Sequence, residues 1–130
     1  MKSKYYIFHL VRHTPALYAQ NPEEEAKSQK EINDFIRGWH PRVRQVLGAH
    51  ANGLAEEWDW LGVFGADELS DWEAFREEYI RLFPGRTEKS VSIPGVSHEE
   101  FVRATSTIPH YKQLRALGAF PGGAEISEDE

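Results

Sequence analysis

Side chains that could do chemistry occur close together near the N-terminus, in the segment YYIFHLVRHTP at residues 5–15. Its aromatic and β-branched residues favour a strand, yet it contains His9, Arg12 and His13. His9 and His13 would share one strand face about 13 Å apart, too far to bind one metal ion unaided. We expect His9, in mid-strand, to be the catalytic candidate, as acid, base or hydrogen-bond donor. The alternative is a histidine satisfied at an interface, and the strand end favours exposure for Arg12 and His13.

A second group of candidates lies in WDWLGVFGA, residues 58–66. Trp58 and Trp60 share one strand face with Gly62, and two tryptophans beside a glycine could form the wall for a flat ligand. Core packing is an equally good interpretation of this spacing. Asp59, on the opposite face, is a candidate general base, although an acid at a strand end is more often structural.

Two further candidates depend on which face of a strand they occupy. If residues 42–53 form a strand, His50 shares a face with Arg44 and Asn52 and could contact a ligand or hold a carboxylate. A solvated sheet edge is the alternative. Tyr5 shares the His9 face of the first strand. The predicted ligand-binding residues are therefore Tyr5, His9, His50, Trp58 and Trp60.

Several kinds of chemistry have no support in the sequence. There is no cysteine among the 130 residues, which excludes disulfides and thiolate sites and fits a reducing cytoplasm. The six histidines form no HxH or HExxH spacing, so no metal site is predicted. No glycine-rich phosphate loop and no GxSxG motif is present. The net charge of -6 disfavours nucleic-acid binding, and no apolar run approaches the ~20 residues of a membrane span.

The elements that must position these residues follow from capping and periodicity. A strand at 4–13 is followed by a helix that begins at Asn21-Pro22 and ends near Pro41. Residues 42–53 fit either a continued helix or a strand, and their alternation favours the strand. Residues 58–66 form the next strand.

The C-terminal half is divided in the same way. The capping box Ser70–Glu73 predicts a helix start, and residues 87–93 predict a strand that ends at Pro94-Gly95. The capping box Ser97–Glu100 and Pro109 predict two short helices. We expect one domain over residues 1–117, followed by a flexible acidic tail over 118–130.

The element order predicts an α+β fold, a ferredoxin-like βαββαβ arrangement with a four-stranded antiparallel sheet. Tyr6, Phe8 and Leu10 are expected to meet the helices. The alternate residues, which include Ile7 and His9, would then lie on the open sheet face, and this set is too apolar for water. A homodimer that stacks two open faces would seal this surface and enclose a ligand cavity on it.

Three segments carry a resemblance to a known superfamily: YYIFHLVRH, GLAEEWDWLGVFGADELSDWEAF and TEKSVSIPG. They resemble one repeat of the chlorite-dismutase-like and coproheme-decarboxylase-like proteins, within the dimeric α+β barrels, and more loosely the small darcynin-type proteins. The resemblance covers roughly residues 4–95 and implies a barrel fold, with haem as a cofactor and oxidative chemistry. Haem-binding members usually carry two repeats with the proximal histidine in the second, so no position of this single repeat matches that ligand.

Two functions remain open at this point. The first is a homodimeric barrel that binds a small, aromatic or haem-like ligand and could be an oxidative enzyme. The second is a non-catalytic ligand-binding or assembly module, in which the polar residues of the open face only set the dimer register.

Overall fold

The computed structural model describes residues 2–119; beyond Ala119 the predicted acidic tail lies outside the described residues. The strands and helices are β1 (Tyr5–His13), α1 (Pro15–Tyr18), α2 (Pro22–Trp39), β2 (Val43–His50), β3 (Trp60–Ala66), α3 (Leu69–Leu82), β4 (Thr87–Val96), α4 (His98–Ala104) and α5 (Pro109–Ala116). No helix within the described range is long and apolar enough to span a membrane.

The four strands form one antiparallel sheet in the order β2-β3-β1-β4. With α2 and α3 as its two long helices, this is the predicted ferredoxin-like α+β fold. The strand interpretation of residues 42–53 is confirmed within narrower limits. Strand β4 continues through Pro94-Gly95 to Val96 instead of ending there, because an edge strand tolerates a proline that cannot donate to the sheet ladder.

Three of the four predicted helix starts are as expected, including that of α5 at Pro109. The Asn21 side chain accepts a hydrogen bond from the Glu24 backbone N–H at 2.9 Å, and Ser97 Oγ accepts one from the Glu100 N–H at 3.1 Å. The capping box at Ser70 was the wrong interpretation. Helix α3 begins at Leu69, with Glu68 as its N-cap, because only two residues separate it from β3 and Ser70 already lies in its first turn.

The predicted orientation of β1 is wrong. Ile7 and Val11 are buried beneath the helices, whereas Phe8, on the open face, is 54% exposed. Strand parity correctly separates the two sets of side chains, but it does not determine which set meets the helices. That choice follows from the right-handed crossover that carries α2 from β1 to the parallel strand β2.

The core occupies one end of the helix-facing side of the sheet. It consists of Ile7, Val43, Phe64, Ala66, Trp72 and Phe75, with aromatic side chains of α2 packed around it. Phe35 of α2 lies 5.1 Å from Phe75 of α3 between ring centroids, so aromatic packing joins the two helices over this end.

The open face is apolar. Its two central rows are in register across all four strands, and we call their eight residues the open-face patch: Leu47, Val63, Phe8 and Ile93 in one row, and Ala49, Leu61, Leu10 and Val91 in the other. Phe8, Leu47 and Ile93 are each more than half exposed, so this side of the isolated chain presents a contiguous hydrophobic surface.

Candidate functional site

A cavity of about 570 Å³ lies between the sheet and helices α2 and α3. It is on the helix-covered side, so the prediction of a cavity on the open face is corrected together with the orientation of β1. It is lined by His9, Val11, His13, Gln29, Ile32, Asn33, Ile36, Gln45, Gly48, His50, Trp60, Phe64, Trp72, Phe75, Arg76, Tyr79 and Arg86.

The cavity exists because its floor carries small side chains. One row across the sheet reads Gly48, Gly62, His9 and Ser92. The Trp60 indole lies over the two glycines: a Cβ on Gly62 would come 2.3 Å from Trp60 Cη2, and one on Gly48 would come 3.2 Å from Cζ2. The two glycines therefore let the Trp60 indole lie close against the sheet, where it lines the cavity, while the helices pack tightly on the core end of this face.

His9 occupies the centre of this floor. Its Nδ1 shares a hydrogen bond of 2.9 Å with Ser92 Oγ, and its ring meets the Trp72 ring edge-on, with centroids 5.2 Å apart. Burial, reinforced by the positive charge of Arg76, lowers the pKa of His9 to about 4. His9 is therefore a neutral imidazole at physiological pH, able to exchange hydrogen bonds with a ligand or to coordinate a metal.

Two arginines provide positive charge in the cavity. Arg76 of α3 donates to Ser90 Oγ at 3.4 Å, and Arg86 donates to Ser28 Oγ at 2.7 Å. The Nε–H group of each is buried and has no hydrogen-bond partner. No carboxylate is among the lining residues. The cavity thus offers unused donors and uncompensated positive charge, which is the environment of an anion site.

His13 lines the end of the cavity at the C-terminus of β1. Its backbone N–H donates to Asp59 Oδ2 at 2.8 Å, whereas its ring Nδ1 is buried without a partner. Burial and the nearby Arg86 lower the pKa of His13, against the opposing effect of Asp59. The predicted exposure of His13 is therefore wrong, because the Asp59 contact and Arg86 enclose the strand end. Arg12 is partly exposed and pairs with Glu88 at 3.4 Å.

Of the predicted ligand-binding residues, His9, His50 and Trp60 line the cavity. Tyr5 instead packs against the core. Trp58 precedes β3 and lies beneath the Lys89 ammonium, 5.0 Å from its ring centroid. Neither Tyr5 nor Trp58 is a lining residue.

The predicted grouping of Arg44 and Asn52 with His50 does not occur. The register between β2 and β3 shifts between Gln45 and Leu47, and such a bulge moves the following residues to the other face. Arg44 is buried and donates to Ser3 and to the Pro41 carbonyl, the latter at 2.8 Å. Asn52, in the turn after β2, donates to the Tyr18 hydroxyl at 2.7 Å.

Sequence reasoning missed the helix residues of the cavity. A signal was present, since Arg76 lies one turn after Trp72 and so interrupts the apolar face of α3 with a charge. In α2, Gln29 and Asn33 are likewise four residues apart and flank Ile32. A polar residue inside an apolar stripe indicates a place where the helix covers something other than core.

The donor set limits how a metal could be held. Between Lys2 and Ala119, no group of three or more histidine, aspartate or glutamate side chains is arranged to bind a metal ion.

Comparison with known proteins supports the fold. No protein-family model and no curated protein matches the sequence. Among solved structures, the chlorite dismutase of Candidatus Nitrospira defluvii in complex with imidazole is similar, with a TM-score of 0.65 and 20% identity over 88% of this chain and 49% of that chain. An arginine-to-alanine mutant of the same enzyme gives a TM-score of 0.64 and 18% identity over 98% and 52%. Another chlorite dismutase-like protein gives 0.64 and 13% over 83% and 49%.

These matches establish the architecture. The chain has the fold of one repeat of the chlorite-dismutase-like α+β barrels and spans about half the length of the chains it matches. The resemblance first suggested by three short segments is thereby confirmed at the level of fold.

Proposed function

We propose that this protein is a ligand-binding α+β barrel whose cavity accepts a small organic anion with a flat, apolar body. The observation that carries the proposal is the pair of partly buried arginines, Arg76 and Arg86, each with a buried and unpartnered Nε–H, in a cavity whose lining residues include no carboxylate. A buried donor without a partner is costly, and an anionic ligand would offset that cost. Trp60, Trp72 and Phe64 supply aromatic contacts for the apolar body.

The cofactor implied by the family resemblance is haem, and the residues present fit it. The two arginines would pair with its carboxylates, and Trp60 and Trp72 would contact its ring. His9, held neutral by burial and anchored through Nδ1, would offer its other ring nitrogen. When bound, haem supplies one-electron and oxygen chemistry. His13 would be a second hydrogen-bonding group toward such a ligand, because its ring Nδ1 is buried without a partner.

We place the protein in the cytoplasm as a homodimer. The open-face patch supports the dimer, because stacking two such faces would remove the exposed Phe8, Leu47 and Ile93 from water. The absence of cysteine supports a reducing compartment.

A non-catalytic binding module is the second candidate, favoured by one observation. The lining residues include no carboxylate that could serve as a second acid or base beside the histidines. On this interpretation, His9 positions a ligand through a hydrogen bond and takes part in no proton transfer.

Titration of the purified protein tests the proposed function. The probes are hemin, metal-free protoporphyrin and naphthalene-2-carboxylate, with uncharged 2-methylnaphthalene as the reference. We expect saturable one-to-one quenching of tryptophan fluorescence by at least one of the anions, and a Soret shift if haem is the ligand. Arg76→Gln should weaken binding at least tenfold, and Arg81→Gln, an exposed arginine on the same helix, should not. The proposal fails if no anion binds, or if Arg76→Gln and Arg81→Gln bind alike.

A further inference from the structure

The structure assigns the cavity a ligand with two anionic groups set apart on an apolar body, one bound at Arg76 beside His9 and the other at Arg86 beside His13. This inference rests on the proposed function and narrows it from an organic anion to a dianion whose charges are separated.

The first cationic centre is located by its hydrogen bond. Arg76 donates to Ser90 Oγ at 3.4 Å, and Ser90 is the β4 partner of Val11. Arg76 is also the charged group that acts on His9. The Arg76 guanidinium therefore lies at Ser90 on the edge strand β4, level with Val11 on β1 and close enough for its charge to act on His9.

The second centre lies further along β1. The Arg86 carbonyl accepts the Thr14 N–H at 3.0 Å, and the Arg86 guanidinium extends away to Ser28 on α2. The charge of Arg86 also acts on His13, two residues beyond Val11 on β1, an offset of about 7 Å along the strand. The reach toward α2 adds a lateral separation. Two anionic groups set apart therefore match the two centres better than a single carboxylate, whose oxygens share one carbon.

Each centre has spare capacity for its own anion. A guanidinium has five N–H donors, and a serine oxygen accounts for one in each case. Asp59, outside the lining residues, accepts the backbone N–H of His13. No lining residue carries a negative charge to pair with either arginine. One ligand anion would leave the second arginine, whose Nε–H is buried, without a partner.

The charge of the ligand follows from the histidines. Burial lowers the pKa of both His9 and His13, so these residues add hydrogen-bonding groups and no positive charge at neutral pH. Two arginines are then balanced by two negative charges. Trp60, Trp72 and Phe75 line the same cavity and favour an aromatic or otherwise flat body between the two charges of the ligand.

Three isosteric probes separate charge from geometry: naphthalene-2,6-dicarboxylate, naphthalene-2,3-dicarboxylate and naphthalene-2-carboxylate. Affinity is measured by calorimetry at pH 7.5 on the full chain. The 2,6-diacid, with its carboxylates at opposite ends, should bind at least about tenfold more tightly than the monoacid, as an added charge-assisted hydrogen bond would give. The 2,3-diacid carries the same charge at one end and should bind like the monoacid.

Variants connect this preference to the two arginines. Arg76→Gln and Arg86→Gln should each lower the affinity for the 2,6-diacid to that for the monoacid. Arg76→Lys should keep part of the preference for the 2,6-diacid over the monoacid, and Arg81→Gln should keep all of it. Circular dichroism checks the fold of each variant, and the comparison among probes on the wild-type chain stands without any variant. If all three probes bind equally, or the two diacids bind alike, the two-centre inference is overturned and the proposed function survives. If none binds, the two-centre inference fails, and the proposed function fails with it unless hemin or protoporphyrin binds.

Discussion

At the scale of single residues, the molecule places its chemistry where side chains are smallest. His9 has room above it because Gly62 and Gly48 lie beside it in the same row of the sheet, and the Trp60 indole takes the space that their missing side chains leave. The same enclosure keeps His9 neutral, since burial disfavours the imidazolium.

The lowered pKa of His9 makes stability depend on pH with a defined sign. Its folded pKa of about 4 is below the unfolded value near ~6.5. As pH falls through this window the unfolded state binds a proton that the folded state does not, so the free energy of unfolding decreases, by up to about 3 kcal/mol at pH 4. Urea denaturation between pH 7.5 and 4.5 measures this slope. His9→Gln should flatten it, and His110→Gln, an exposed control on α5, should leave it unchanged. An unaltered slope in His9→Gln would place the ring in solvent.

Gly62 is the second residue whose change should be informative. In Gly62→Ala the new methyl group would collide with the Trp60 ring at 2.3 Å, and we expect about 1–3 kcal/mol of destabilisation from overpacking, together with weaker binding of the naphthalene probes. The matched control is Gly95→Ala in β4, where the nearest atom is a backbone oxygen 3.9 Å away. Thermal melts of the two variants give the comparison, and equal melting temperatures would contradict the description of the cavity floor.

At the scale of the elements, α2 and α3 act as a cover that is apolar over the core and polar over the cavity. Phe35 of α2 packs against the core, while Gln29 and Asn33 on the same helix line the cavity. In α3 the stacked Trp72 and Phe75 give way to Arg76. Each helix therefore covers both the core end and the cavity end of the sheet, so a less stable helix would weaken the core and the cavity together.

The N-cap of α2 should carry measurable stability. Asn21→Ala removes the acceptor for the Glu24 N–H and should lower the free energy of unfolding by about 1 kcal/mol. Ser70→Ala in α3 is the control, because Ser70 is inside the first turn and makes no cap; it should change stability by less than about 0.5 kcal/mol. The midpoints of urea denaturation measure both changes. A stability loss in Ser70→Ala larger than that in Asn21→Ala would support the predicted capping box at Ser70 and contradict the structure.

At the scale of the whole molecule, one sheet has two faces with different tasks. The helix-facing side contains both the core and the cavity, and the open side consists of the open-face patch. That patch sets the expected oligomeric state, since contiguous exposed apolar surfaces of this kind mark interfaces.

We expect light scattering at micromolar concentration to give a mass of about 30 kDa, twice the 14.9 kDa of the chain. Phe8→Glu should produce a folded monomer, because a carboxylate in the centre of the stacked faces would be buried without a partner. Leu54→Glu introduces the same charge at a loop residue that is 89% exposed and should remain dimeric. A light-scattering mass of one chain for the wild-type protein would contradict the proposed homodimer.

The sequence by itself determined the element order, the fold class and the two alternating sets of β1, because hydrophobic period, capping residues and turn residues act over a few neighbours. It also indicated His9, His50 and Trp60. Only the tertiary structure decided which face of β1 the helices cover, because that depends on the handedness of a crossover. The bulge that separates Arg44 from His50 and the arrival of Arg76 and Arg86 over His9 and His13 likewise depend on packing between distant segments. The alternation of the strands could therefore be predicted, but neither the face that forms the core nor the cavity could be, since both depend on where the two helices pack on the sheet.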